Sequence, residues 1–322
     1  MVTPILNQMI YLFAFIFVGF ILSRWKFIPE NSAKVLSKFE NMFFVPAMIL
    51  NTFIRDCTVE KLKSCWQLIL LGLAIGLIFL LISYAVAKLC YKDKYVQNIA
   101  VYSVALSNFA FMGYAIVGVA FPEINLQYIL FTLPLWFIIY LWGVPVLLIG
   151  NNSANDGQKK SFVSNFKSFL NPMFVALIIG VIVSLSGLSA HFPKVALKII
   201  GDASFCMSPL AMLLTGATIG RLKLLSLVKK WQIYVIAFVK LIVYPLLFIA
   251  VFAFVPQNSV INETFLICGI LFTCMPTGLN SIVIPAAYGK DTSDAASMAL
   301  ITHLFAIGTI PLMFMMFQNL VL

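Results

Sequence analysis

The stretch Leu271–Gly289 reads LFTCMPTGLNSIVIPAAYG and lies in an apolar run, Ile261–Tyr288, that is long enough to cross a bilayer. Its centre does not fit an unbroken helix. Pro276 has no backbone N–H, so it should free the carbonyl of a residue one turn earlier, near Phe272. Gly278 loosens the backbone further. The sequence therefore predicts a helix that is interrupted in the middle of the membrane.

Polar side chains lie between this break and a second proline, Pro285, which should free another carbonyl near Ser281. They belong to Thr277, Asn280 and Ser281. In lipid, unpaired backbone groups are tolerated only where protein or a wet cavity surrounds them. The pattern predicts a substrate site at mid-membrane. The alternative is a proline kink whose freed carbonyls are relieved by the nearby Ser, Thr and Asn side chains.

A second stretch, Ser103–Gly113, has a similar character and reads SVALSNFAFMG. It lies within the apolar run Val96–Phe121, and its polar centre, Ser107 and Asn108, is followed by the predicted break at Gly113. The two stretches occupy corresponding places in the two halves of the chain. This arrangement is typical of transporters built from repeats.

Composition restricts the class of protein. The chain has 322 residues, of which 62% are hydrophobic and only 10% are charged. Soluble domains carry about 25% charged residues, so this is an integral membrane protein. The net charge of +10 would suit nucleic acid. However, the basic residues cluster between apolar runs, as topology signals do, so we expect membrane lipid and no nucleic acid as a partner.

We predict ten spans of about 20 residues each, five in each half of the chain. Because five is odd, the second half must enter the membrane from the opposite side, so the repeat is inverted. The predicted fold is therefore an all-α membrane protein with repeats at 1–149 and 169–322, a cytoplasmic linker at 150–168, and broken helices 4 and 9. The spans are Ile5–Leu22, Leu36–Ile54, Trp66–Leu89, Val96–Phe121, Gln127–Ile149, Phe169–Leu188, Val195–Ile219, Trp231–Val255, Ile261–Tyr288 and Ala295–Leu320.

The loops predict an orientation in the cell membrane. Most of the 21 Lys and Arg residues lie in the loops that follow spans 1, 3, 5, 7 and 9. Those loops should be cytoplasmic, which places both termini outside the cytoplasm. The loop Arg55–Ser64 is an exception with its three bases, although Asp56 and Glu60 offset part of that charge. No basic residue precedes Arg24, so the first apolar run is expected to be a retained span rather than a secretory signal.

Several classes of protein are excluded by the motifs. The longest polar connection, Gly150–Ser168, is too short for a nucleotide-binding domain, and GxxxxGK[ST] does not occur. The sequence also lacks HExxH, GxSxG and a pair of acids within a span, so we expect no enzyme. The six cysteines show no metal-ligand spacing, and we expect no metal or cofactor. Cys57 and Cys65 flank a short loop and could pair or stay free.

Two ionisable residues lie deep within predicted spans. Lys240 is about 13 Å into span 8, near the middle of the bilayer. It could provide a counter-charge for a substrate or for polar groups that open during transport, or it could snorkel to the surface. His303 lies at a similar depth in span 10. It could exchange a proton in each cycle or simply hydrogen-bond a neighbouring helix.

Five stretches resemble the auxin efflux carrier family, within the wider group of bile-acid and arsenite-type carriers. They are NMFFVPAMILNTF, ALSNFAFMGYAIVGVAFP, SPLAMLLTGATIG, FVKLIVYP and CMPTGLNSIVIPAAYGKD. The last is the most specific, and together they sample nearly the whole chain. Plant members have a proline beside the span-4 asparagine, where this chain has Ser107. The short central loop is similar to that of bacterial members.

The resemblance implies ten spans in two inverted repeats, with spans 4 and 9 crossing at the substrate site. It further implies a scaffold of spans 1, 2, 6 and 7 that forms a homodimer, and a transport domain of the other six that moves like an elevator. Plant members export an indole acid, and bacterial members carry malate, malonate and related carboxylates.

The predicted function is therefore secondary transport of small organic anions. The predicted substrate-binding residues are Ser107, Asn108, Thr277, Asn280, Ser281 and Lys240, with His303 as a candidate for proton coupling. Half-helix N-termini would favour an anion over a cation. The alternative is a membrane-embedded ligand sensor that keeps the carrier fold without net transport.

Overall fold

The computed structural model of the chain describes residues 2–148, 171–222 and 228–322. The predicted linker at 150–168 lies outside these residues. The described residues form helices and no strand. The α-helices are α1 (Val2–Arg24), α2 (Ser32–Phe39), α3 (Val45–Asp56), α4 (Val59–Cys90), α5 (Lys94–Ala105), α6 (Tyr114–Ala120), α7 (Asn125–Ile138), α8 (Pro172–Leu185), α9 (Lys194–Gly220), α10 (Trp231–Phe238), α11 (Tyr244–Phe252), α12 (Glu263–Cys274), α13 (Asn280–Ala287) and α14 (Ser293–Leu320).

Wider, π-helical turns join several of these helices end to end. Most of them have a common cause, because they contain the residue four positions before Pro46, Pro145 or Pro245. A proline ring clashes with the carbonyl of that residue and cannot bond to it, and a widened turn relieves the clash. The π-helical segments in the described residues are Glu40–Phe44, Phe109–Gly113, Ile139–Leu148 and Val239–Val243.

Many of the helices are suited to a membrane by length and composition. Two shorter apolar helices, α8 and α12, accompany the longer ones. The protein is therefore an all-helical, multi-pass membrane protein, while the predicted total of ten spans and the inverted repeat remain predictions. In the described residues, seven helices are long and apolar enough to cross: Thr3–Arg24, Val59–Cys90, Lys94–Ala120, Pro122–Leu148, Lys194–Gly220, Trp231–Phe252 and Ser293–Leu320.

The helices pack in two groups. In the first group α1 and α2 pack on α9, and α3 packs on both α8 and α9. In the second group α4 packs on α5 and α7, while α5, α10, α11 and α12 pack on α14. The groups touch where α2 meets α13, where α1 meets α6 and α14, and where α9 meets the segment Phe109–Gly113. Both broken segments therefore belong to the second group and lie beside the first.

Small residues let helices within each group approach closely. A Cβ atom added to Gly216 of α9 would lie 1.9 Å from the carbonyl oxygen of Ile16 in α1. A Cβ atom on Gly72 of α4 would lie 1.9 Å from the carbonyl oxygen of Phe131 in α7. Such backbone-to-backbone contacts are typical of glycine in membrane helix pairs.

The two cysteines whose pairing was open, Cys57 and Cys65, are both free thiols in the structure. The carbonyl oxygen of Cys57 accepts a hydrogen bond from the hydroxyl of Ser184 in α8. The end of α3 is therefore tied to α8 by this hydrogen bond.

Glu40 begins the widened turn between α2 and α3, and it is fully buried. Neither carboxyl oxygen has a hydrogen-bond partner in the described residues. A polar group buried without a hydrogen bond costs about 1–3 kcal/mol by mutational measurement. Glu40 therefore weakens the first helix group in this conformation.

We expect Glu40→Met to raise the free energy of unfolding by about 1–3 kcal/mol, because it removes an unpaired polar group and keeps an unbranched side chain. The measurement is thermal unfolding of the purified protein in detergent. Glu30→Met, at an exposed position, is the matched control and should change stability little. A lower stability for Glu40→Met would show that the carboxyl group has a partner that this conformation does not contain.

Candidate functional site

The first interruption lies between α5 and the helical segment that starts at Phe109. Leu106 and Asn108 have non-helical backbone angles, with ψ of 75° and 44°. Gly113 lies further on, at the end of a π-helical turn that continues without a gap into α6. A Cβ atom there would lie 2.3 Å from the hydroxyl oxygen of Tyr128. The structure therefore places the interruption at 106–108 and uses Gly113 for close packing.

The second interruption lies between α12 and α13, at residues 275–279. Met275 is extended, with φ of −63° and ψ of 144°. This conformation follows from Pro276, because a proline disfavours the helical region for the residue before it. Pro285 lies inside α13 and is buried, so the helix passes through it.

The two interruptions meet and satisfy each other's backbone. The N–H of Asn108 donates to the carbonyl of Pro276 at 2.9 Å. In return the N–H of Gly278 donates to the carbonyl of Ser103 at 3.2 Å. Two segments far apart in sequence thus replace the hydrogen bonds that each helix loses at its break.

The carbonyl that Pro276 frees also finds a partner across the junction. This carbonyl belongs to Phe272, four residues earlier, and it accepts a hydrogen bond from the hydroxyl of Ser107 at 3.1 Å. Ser107 is buried, so the bond is shielded from bulk solvent. The side chain at the first break therefore repairs the backbone at the second.

Two other predicted residues bond next to the junction. The hydroxyl oxygens of Thr277 and Thr302 lie 2.8 Å apart, which links the second break to α14. The hydroxyl of Ser281, in the first turn of α13, donates to the carbonyl of Gly278 in the break at 2.7 Å. Their side chains therefore stabilise the broken span and its contact with α14.

His303 of α14 lies beside the first break. Its Nδ1 is 2.8 Å from the carbonyl oxygen of Ala299, and its Nε2 is 3.0 Å from Nδ2 of Asn108. The ring is almost fully buried. His303 and Asn108 are thus joined directly, although they are on spans distant in sequence.

Lys240 is fully buried inside the protein. Its Nζ donates to the carbonyl of Thr273 at 3.1 Å and lies 5.0 Å from the centre of the Tyr244 ring. Thr273 is in the last turn of α12, where carbonyls lack intrahelical donors and the helix dipole is negative. The amino group therefore stabilises the end of a half-helix.

A small cavity with a mixed polar and apolar lining lies at the junction of the two breaks. Its volume is about 10 Å³, which is room for about one water molecule. Oδ1 of Asn108 and Oδ1 of Asn280 are buried and have no hydrogen-bond partner in the described residues. The lining consists of Tyr102, Leu106, Ser107, Asn108, Phe109, Ala110, Phe111, Ile139, Gly278, Leu279 and Asn280.

The structure thus brings together three of the predicted substrate residues, namely Ser107, Asn108 and Asn280. Thr277, Ser281 and Lys240 lie outside the lining of this closed cavity and bond to the surrounding backbone or to α14. Sequence reasoning missed Tyr102, which lines the cavity beside Asn280, and Thr302. The sequence marks these two residues only by their positions. Tyr102 lies about one turn before the polar pair Ser107-Asn108, and Thr302 is next to His303.

This geometry defines a membrane protein in which two interrupted spans meet around a buried polar centre. A family model described as "Membrane transport protein" matches residues 4–314. The chain therefore belongs to this family, which is the auxin efflux carrier family, and its role is that of a membrane transporter. A comparison with curated proteins gives no match.

We expect Gly278→Ala to disrupt the junction, because its Cβ atom would lie 2.1 Å from the carbonyl oxygen of Leu106. The melting temperature and the transport rate of the variant should both fall. If the crowding costs more than about 1.4 kcal/mol, the transport rate should fall about tenfold or more.

Gly308→Ala is the matched control, because a Cβ atom there has no neighbour within 4 Å. It should leave transport unchanged and stabilise α14 by up to about 1 kcal/mol, from helix propensity. If Gly278→Ala and Gly308→Ala had the same melting temperature and the same transport rate, the close approach at Gly278 would be contradicted.

Proposed function

We propose that the protein is a secondary transporter of small organic anions, such as malate, malonate or auxin-like acids, in the cell membrane. The observation that carries this proposal is that the two breaks satisfy each other's backbone hydrogen bonds around a small cavity lined in part by Ser107, Asn108 and Asn280. Membership of a transporter family supports the mode of action. The cavity chemistry supports the class of substrate.

An anion fits the cavity better than a cation. Two helical segments begin at the cavity, one at Phe109 and the other at Asn280. First-turn N–H groups carry the positive end of the helix dipole. In α13 the N–H groups of Ser281 and Ile282 already donate to the carbonyls of Gly278 and Leu279, so the segment that starts at Phe109 is the better source of free donors. A carboxylate could accept from such groups and from the hydroxyl and amide donors beside them. Within the described residues, no group of acidic side chains could hold a metal ion.

Access to this site requires movement, because a cavity with room for one water cannot hold a dicarboxylate. We propose alternating access of the elevator type, with ten spans in two inverted repeats at 1–149 and 169–322. In this proposal the scaffold comprises α1, α2, α3, α8 and α9, and it also forms the homodimer. The remaining helices carry both breaks and move as the transport domain. The packing of the helices in two groups supports this division.

The proposed topology places both termini outside the cytoplasm, following the distribution of basic loops.

An inside-negative membrane potential of 100 mV favours export of an anion by about 2.3 kcal/mol for each negative charge. Export of a free anion therefore needs no further energy source, whereas accumulation inside the cell needs a coupled cation.

The test is uptake and efflux of labelled malate, malonate and indole-3-acetate in proteoliposomes. Asn280→Ala should reduce transport about 10–100-fold, because a hydrogen bond to a charged group is worth about 1.5–3 kcal/mol. Asn31→Ala is the matched control, since Asn31 is exposed and its side chain makes no capping bond.

Lys240 gives a second comparison. Lys240→Ala should lower transport, because it leaves the carbonyl of Thr273 without a donor. Lys240→Gln can still donate and should retain more activity. Unchanged transport in Asn108→Ala, Asn280→Ala and Lys240→Ala together would show that the site is elsewhere. Carboxylates that raise the melting temperature without any flux would instead support a sensor.

A further inference from the structure

The side-chain amide of Asn108 lies between His303 and the cavity. Its Nδ2 is 3.0 Å from Nε2 of His303. Its Oδ1 is buried and has no partner in the described residues, and Asn108 lines the cavity. The two ends of one amide therefore have different surroundings, one fixed by a ring nitrogen and the other free for a ligand.

The histidine determines which end of the amide faces it. The carbonyl of Ala299 can only accept, so Nδ1 of His303 must carry a hydrogen atom. In the neutral ring Nε2 is then an acceptor. Asn108 must present its NH2 group to Nε2, and its carbonyl oxygen is left for the cavity. This assignment follows from the contact of Nδ1 with the carbonyl of Ala299.

The neutral state is poorly suited to a carboxylate, because an amide oxygen and a carboxylate oxygen are both acceptors. A proton added to Nε2 turns this nitrogen into a donor, while Nδ1–H keeps its bond to Ala299. Nε2–H would then oppose the NH2 group of Asn108, donor against donor. Rotation of the amide by half a turn resolves the conflict: Oδ1 accepts from Nε2–H, and the NH2 group turns to the cavity.

We propose that the protonation state of His303 sets which end of the Asn108 amide faces the cavity, so that a proton and a carboxylate bind together. This inference rests on the proposed function as an anion carrier. His303 is a positioning residue, because it acts through Asn108. The proton comes from water on one side of the membrane, adds to the Nε2 lone pair and is released to water on the other side with the anion, so one H⁺ accompanies each anion. By linkage, the anion must strengthen proton binding as much as the proton strengthens anion binding.

Other ionisable groups lie on the elements packed against α14, and the test must separate them from His303. None of them bonds to the ring, whose hydrogen-bond partners in the described residues are Ala299 and Asn108. The buried ones on these elements are Tyr102, Lys240, Tyr244, Cys268 and Cys274. Lys240 is therefore included as a variant.

The first test reads the ring directly. The chain has two histidines, so His191→Gln, at an exposed position, leaves His303 as the only one. Nitrogen-15 NMR of this protein in lipid should show the Nδ1–H tautomer at high pH and a doubly protonated ring at low pH. Saturating malonate should raise the titration midpoint by about one pH unit, which is a tenfold coupling. In Asn108→Ala the midpoint should not respond to malonate.

The second test is malonate uptake into proteoliposomes at two pH values. An inward proton gradient should raise uptake about fivefold or more in the unmodified protein, in His191→Gln and in Lys240→Gln, relative to no gradient. His303→Gln should flatten this dependence, because its amide can present either a donor or an acceptor to Asn108. If His303→Gln still takes up malonate but the uptake no longer depends on the proton gradient, His303 is identified as the coupling residue.

Three results would overturn the proposal. The first is that the His303 ring carries its hydrogen on Nε2 at high pH. The second is that malonate is transported but does not change the titration midpoint of His303. The third is a gradient dependence that survives in His303→Gln. Each of these leaves the anion-carrier function standing. A complete lack of carboxylate binding and transport would instead remove the carrier function and the coupling together.

Discussion

The structure depends on one constraint: backbone groups that lose their helical partners inside a membrane must find others in the protein. Each of the two breaks would be costly alone, because unsatisfied N–H and C=O groups in hydrocarbon cost several kcal/mol each. Together they are stable, since Asn108 and Gly278 donate to carbonyls on the opposite segment. The polar centre is thus a consequence of joining two broken helices, and the cavity is the space that this joint leaves.

The remaining polar side chains extend this repair. Ser107 bonds the carbonyl that Pro276 frees, and Lys240 bonds another carbonyl in the last turn of α12. Thr277 ties the second break to α14, and His303 on α14 contacts the first break. Most of the predicted residues therefore hold the joint together, and a smaller number face the cavity. The joint is formed by the backbone, with side chains that keep it in place.

Much of this arrangement could be predicted from the sequence, because its causes are local. Pro276 and Gly278 disfavour helix wherever they occur, and Ser107-Asn108 is a polar pair within an apolar run. The pairings could not be predicted, because they join residues remote in sequence. The contact of His303 with Asn108 and that of Lys240 with Thr273 depend on how spans pack. The burial of Glu40 likewise depends on how the spans pack.

The reciprocal bonds between the two breaks have a consequence for biogenesis. A ribosome that has completed only the first half of the chain leaves Ser103 and Asn108 in the bilayer before their partners, Gly278 and Pro276, exist. Until the second half is inserted, these groups must be protected by the translocon, by insertion chaperones or by trapped water. Quality control of the nascent protein can therefore recognise the unpaired backbone groups of the first break as well as exposed apolar surface.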